Sequence, residues 1–84
     1  LEAAIDRFLK AHEEMPANLQ VMLNLVNAIM AYVHQNGWHE SHMRRAQELL
    51  VRVREQAPTN NKFQKLLQAW RLLVEKFGRP QWMV

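Results

Sequence analysis

The sequence predicts an all-α domain of four helices folded as antiparallel hairpins. Three observations carry this expectation. The 84 residues include only two Gly and three Pro, which suits long helices better than a sandwich or barrel. No stretch sustains an apolar–polar alternation, and the Asn36-Gly37 pair sits between helical patterns rather than between β-branched runs. One spacing also occurs twice. Ala4, Phe8, Ala11 and Pro16 stand at i, i+4, i+7 and i+12, and Ala46, Leu50, Val53 and Pro58 repeat those intervals. Small residues let helix backbones approach, a large one fills the gap, and proline cannot extend the helix. On this reading Ala11 marks a close helix contact, and the repeated unit points to a helical-repeat binding module.

The first helix spans about residues 1–14. Leu1, Ala4, Ile5, Phe8, Leu9 and Ala11 share one side, while Glu2, Asp6, Arg7, Lys10, Glu13 and Glu14 share the other. Pro16 ends it, and Asn18 suits the N-cap of the next. The second helix, about 19–35, is the most apolar segment, with no Asp, Glu, Lys or Arg between Met15 and His39. Gln20, Asn24 and Asn27 interrupt the run short of the roughly 20 apolar residues that a membrane span needs, so a helix buried on most sides is expected. Gly37 stops it. The third helix covers about 42–57, with Ser41 as a cap and Met43, Ala46, Leu49, Leu50, Val53 and Ala57 turned inward. Pro58 closes it, and Thr59 or Asn60 caps the fourth helix, about 61–77. There Phe63, Leu66, Leu67, Trp70, Leu73, Val74 and Phe77 form one stripe before Gly78 and Pro80. Residues 78–84 remain as an apolar tail.

Composition excludes several classes of function. With no Cys there is no disulfide, thiolate zinc site or thiol nucleophile. No basic stretch leads into an apolar run at the N-terminus, so no signal peptide is read and a cytoplasmic setting is expected. The pattern starts at Leu1, as though inside a helix, and the chain reads as a piece of a longer protein. The net charge of +3 is uneven: residues 1–14 carry −2, residues 40–57 carry +1 and residues 58–84 carry +4. Such a basic end steers toward acidic surfaces or nucleic acid.

These residues resemble the tetratricopeptide-repeat (TPR) family, whose second helix carries Ala, an aromatic four on, Ala three further and Pro five further. Positions 4, 8, 11 and 16 match all four, and positions 46, 50, 53 and 58 match in size class. Asn24-Leu25-Val26-Asn27-Ala28 is similar to a stretch of the family's first helix, with Met22 at the aromatic position and Val26 where Gly is usual. Pro16 and Pro58 stand 42 residues apart, against a family period of about 34. Eight residues are therefore added between Tyr32 and Ser41. The helices over 16–77, stretched before the third and closed by a basic one, also resemble the C-terminal modules of some bacterial two-component response regulators. The resemblance implies a non-catalytic module that binds a protein or peptide, in a signalling protein.

For such a module one face of the second helix supplies the groove, and Gln20, Leu23, Asn27, Met30 and His34 are its expected lining. Family members that hold a peptide carboxylate place Lys before the first groove Asn; Leu23 stands there, so that reading lacks its charge. Leu1, Ile5 and Leu9 lack a partner helix in this chain, which predicts self-association as a homodimer. Trp38 and Trp82 lie outside regular helices and are candidate interface anchors. The alternative is a nucleic-acid-binding domain with Lys62, Lys65 and Arg71 on one face of the last helix, though the QAPTNN junction before it has no Gly. A dimerisation or spacer module is the third option. His34, His39 and His42 cluster near one junction, but His39-Glu40-Ser41-His42 spaces its histidines three apart and offers no third ligand, so no metal or cofactor is expected. No nucleophile–base pair, phosphate loop or convergent carboxylates point to catalysis.

Overall fold

A computed structural model describes residues 2–84 of the chain; the expected interface residue Leu1 lies outside them. The helices are α1 (Glu2–Glu14), α2 (Leu19–Asn36), α3 (Glu40–Gln56) and α4 (Asn61–Lys76), followed by a 3-10 turn at Pro80–Trp82. No strand occurs among the described residues.

Two links between helices are the same turn built twice. In Met15-Pro16-Ala17-Asn18 the Asn18 N–H donates to Met15 O at 3.1 Å, and in Ala57-Pro58-Thr59-Asn60 the Asn60 N–H donates to Ala57 O at 3.1 Å. Proline sits second in each, where its fixed φ favours a turn. The asparagine at the fourth position then caps the following helix: Asn18 Oδ1 accepts from Val21 N–H at 3.0 Å, and Asn60 Oδ1 from Phe63 N–H at 3.0 Å. The middle link differs. Gly37, at φ +96, follows α2, and its N–H donates to Val33 O at 2.9 Å. The cap of α3 is His39, not Ser41, and the helix starts at Glu40. The eight added residues thus become the last turn of α2, a short link and the first residues of α3.

The contacts between helices fix their directions. Tyr32, late in α2, meets the rings of His39 and His42 at the start of α3, and Gln56 at the end of α3 reaches Ala17 O beside the start of α2. Adjacent helices therefore run antiparallel. Lys62 and Lys76, near the two ends of α4, reach Asn24 and His34 of α2 in the same order. Hence α2 and α4 lie parallel in one layer. Helix α1 packs chiefly on α2, and Glu2 and Asp6 at its start act on His42 while His12 near its end feels Arg45 and Arg52, so α1 runs in the same direction as α3. Two layers of helices fit the 33 × 29 × 17 Å extents.

Helix α2 packs against all three others and gives the core eight buried residues, Met22, Leu23, Leu25, Val26, Ala28, Ile29, Met30 and Val33. This explains its lack of charge: an ion on most of its faces would be buried without a partner. Ile5 is fully buried within this same core. The expected role of Ile5 as an interface residue is therefore corrected, because α1 folds its apolar side onto its own bundle. Leu9 is half-buried and packs on the core, and the exposed residues of α1 are charged apart from Ala3.

The two small residues of the repeated spacing are not equivalent. Ala46 is fully buried, whereas Ala11 is half-buried. Ala46→Leu is expected to overpack its contact and cost about 1–3 kcal/mol, and Ala11→Leu to cost clearly less. Urea titration of both variants checks this, and a larger loss at Ala11 would reverse the assignment.

The tail is also part of the core, which corrects Trp82 as an interface anchor. Gly78 at φ +64 closes α4, with its N–H donating to Glu75 O and the Arg79 N–H to Val74 O, both at 3.0 Å. This wrap-back is a common helix ending, and it needs the left-handed backbone that glycine takes freely. It turns the chain so that Trp82 sinks to 8% exposure. The Trp82 carbonyl accepts from Trp70 Nε1–H at 2.9 Å and from Gln47 Nε2 at 3.3 Å. Trp38 is half-buried and edge-on to Trp82 at 5.3 Å, with the Arg79 guanidinium 4.7 Å above its ring. It lines the seat of the tail rather than standing free.

Candidate interaction face

The α2/α4 layer carries a charge pattern that the rest of the chain lacks. Seven of the eight acidic residues lie on α1 and α3, and α2 has no charged residue. On α4, Lys62, Lys65, Ala69, Leu72 and Lys76 recur at three- and four-residue intervals, so they share one stripe. Both ends of that stripe touch α2. The Lys62 ammonium donates to Asn24 Oδ1 at 2.8 Å, and Lys76 Nζ stands 3.2 Å from His34 Nδ1. Gln20 Nε2 also donates to Asn24 Oδ1, at 3.0 Å. Two donors on that oxygen fix the amide and leave its Nδ2 hydrogens as donors. Between these anchors Asn27 is exposed, and Leu72 is 69% exposed, a large apolar side chain with Lys76 and Glu75 one helical turn on.

The expected groove is thus placed in part. Gln20, Asn27 and His34 are exposed on α2. Leu23 and Met30 are 1% and 7% exposed, so they belong to the core and line no open surface. An amine does reach this part of α2 from another helix: Lys62, 38 residues beyond Asn24 in sequence, donates to its Oδ1. The nucleic-acid face does not assemble as expected. Lys62 turns toward α2, whereas Arg71 lies on the other flank of α4 with its guanidinium donating to Val84 O at 3.3 Å. Nine residues along a helix is about half a turn out of phase.

The histidines divide. His34 contacts Lys76 on the α2/α4 face. His39 and His42 stack ring on ring, 3.9 Å between centroids and 24° between planes. Burial lowers the His42 pKa below its usual value, and His39 and Arg45 add to this against the pull of Glu2 and Asp6. His12 is lowered first by burial, then by Arg52 and Arg45, against Glu13; its Nδ1 is buried without a hydrogen-bond partner. No group of three or more His, Asp or Glu side chains suited to a metal ion forms among the described residues.

A shallow cleft of about 440 Å³ lies at the opposite end from the tail, lined by Pro16, Ala17, Met22, Arg52, Glu55 and Gln56. One cation and one anion on its rim give it no charge preference. Among the described residues no helix is long and apolar enough to cross a membrane. No protein-family model matches this chain, and no curated protein or solved structure is significantly similar to it.

Proposed function

We propose that the chain is a non-catalytic protein-interaction module whose α2/α4 face receives an acidic, partly apolar segment of a partner protein. The observation that carries this reading is the lysine stripe of α4 tied to Asn24 and His34, with no acidic residue on α2 and with Leu72 exposed on that stripe. Carboxylates would pair with Lys62, Lys65 and Lys76, while Asn24 and Asn27 offer amide donors and Leu72 an apolar contact. The twice-built proline turn and the parallel placing of α2 and α4 are compatible with a TPR-like pair of hairpins. The setting in a bacterial signalling protein, as a cytoplasmic output module, rests on the sequence resemblance alone.

A fluorescein-labelled 15-residue peptide with Glu and Leu on one helical face tests the reading, beside the same peptide with Gln for Glu and a random-sequence DNA duplex. By anisotropy the Glu peptide is expected to bind, and Lys62→Glu with Lys65→Glu to weaken it about tenfold, two charge contacts of common strength being reversed. Equal binding of the Gln peptide, or no effect of the two reversals, would overturn it. Tighter binding of the duplex with a steep salt slope would return the face to nucleic acid.

A further inference from the structure

We infer that the α2–α3 junction is a proton-sensitive latch, in which the stacked pair His39–His42 holds the first turn of α3 closed when neutral and releases it when protonated. His39 is the N-cap of α3: its Nδ1 accepts the His42 N–H at 3.3 Å, and Ser41 Oγ stands 3.3 Å from the same nitrogen. Histidine is an uncommon cap beside Asn, Asp or Ser, and it differs from them in titrating near neutral pH. A proton on Nδ1 turns the acceptor into a donor, so the cap bond is lost. The new charge also stands at the positive end of the α3 dipole and 3.9 Å from the second imidazole.

The surroundings decide how many protons the pair holds. Helix α1 presents Glu2 and Asp6 to His42, and these favour one positive charge; α3 presents Arg45, which opposes it. Glu40 lies in the first turn of α3. Helix α2 presents Tyr32, whose ring lies edge-on to both imidazoles at 6.0 and 5.5 Å and confines them. Because the His42 pKa is lowered in the folded chain, its contribution to stability is full above about 6.5 and is lost as the pH falls through the folded value. The part that loosens first is Glu40–Met43. Met43 is fully buried, so the latch reaches the core.

Amide hydrogen exchange of the whole chain, read by NMR at His42 and Met43 and corrected for intrinsic rates, tests the latch. Between pH 7.5 and pH 5 the protection of these amides is expected to fall about fivefold, the weight of one cap bond. His39→Asn keeps an acceptor that does not titrate, and it is expected to abolish the fall. The local readout matters because His12 contributes to any global pH trend. Unchanged protection in the parent chain, or a fall that persists in His39→Asn, would overturn the inference. Should His39→Asn alter the fold, His42→Gln, which removes the second charge and leaves the cap, is expected to shrink the fall; an undiminished fall there would equally overturn it.

Discussion

Trp70→Ala is expected to lower the unfolding free energy by about 3–5 kcal/mol, the range for removing a large buried aromatic. Trp70 is fully buried on the stripe of α4, and its indole N–H donates to Trp82 O at 2.9 Å. Truncation opens a cavity and leaves that carbonyl with Gln47 alone, so the tail loses both its packing and its stronger bond. Domains of this size keep only about 5–15 kcal/mol in reserve, and the variant should stand near its unfolding threshold at 37 °C. Trp70→Phe separates the two contributions, because it retains most of the packing and removes the donor. Urea titration followed at 222 nm measures both variants. A loss under about 2 kcal/mol for Trp70→Ala would mean that the tail does not dock on Trp70 in solution.

Ile5→Glu is the second large effect. Ile5 has no exposed surface and sits among apolar side chains. A carboxylate there must either be buried without a partner or take α1 off the bundle; the loss should exceed that of Ile5→Ala, itself about 2–5 kcal/mol. The expected signature is a lower melting temperature with an unchanged monomer mass. A parent dimer that Ile5→Glu separates without loss of stability would restore the sequence-based reading of that side chain as an intermolecular contact. Light scattering and thermal melting on the same samples decide between them.

What could be read from the sequence was local. Proline at the second place of a turn and asparagine at the fourth act within a few residues, so the first, second and fourth helices and the cap at Asn18 follow from the chain alone, while the structure selects Asn60 over Thr59. The start of the third helix was misplaced because capping preferences favour Ser41 over a histidine. Burial was harder. The apolar side of α1 looks unpartnered until α2 is seen to touch every other helix. The tail QWMV has no helical period, and only the distant donors Trp70 and Gln47 show that it docks. The interaction face was half legible. Its α2 residues share a stripe, but the amine of Lys62 arrives from another helix. The opposite phase of Lys62 and Arg71 follows from their nine-residue separation.

The order of the helices bears on how quickly the chain finds its structure. Each helix packs on its neighbour in sequence through a link of only a few residues; α2 with α4 is the main pairing that skips a helix. Closing short loops costs little chain entropy, and helical domains with such local contacts fold in microseconds to milliseconds. The contacts of α1 and α3 with α2 join sequence neighbours, whereas the α2/α4 face exists only once α4 has docked on α2, the partner helix of α3. Its assembly is therefore tied to the final docking of α4, and a half-folded chain does not present the complete face.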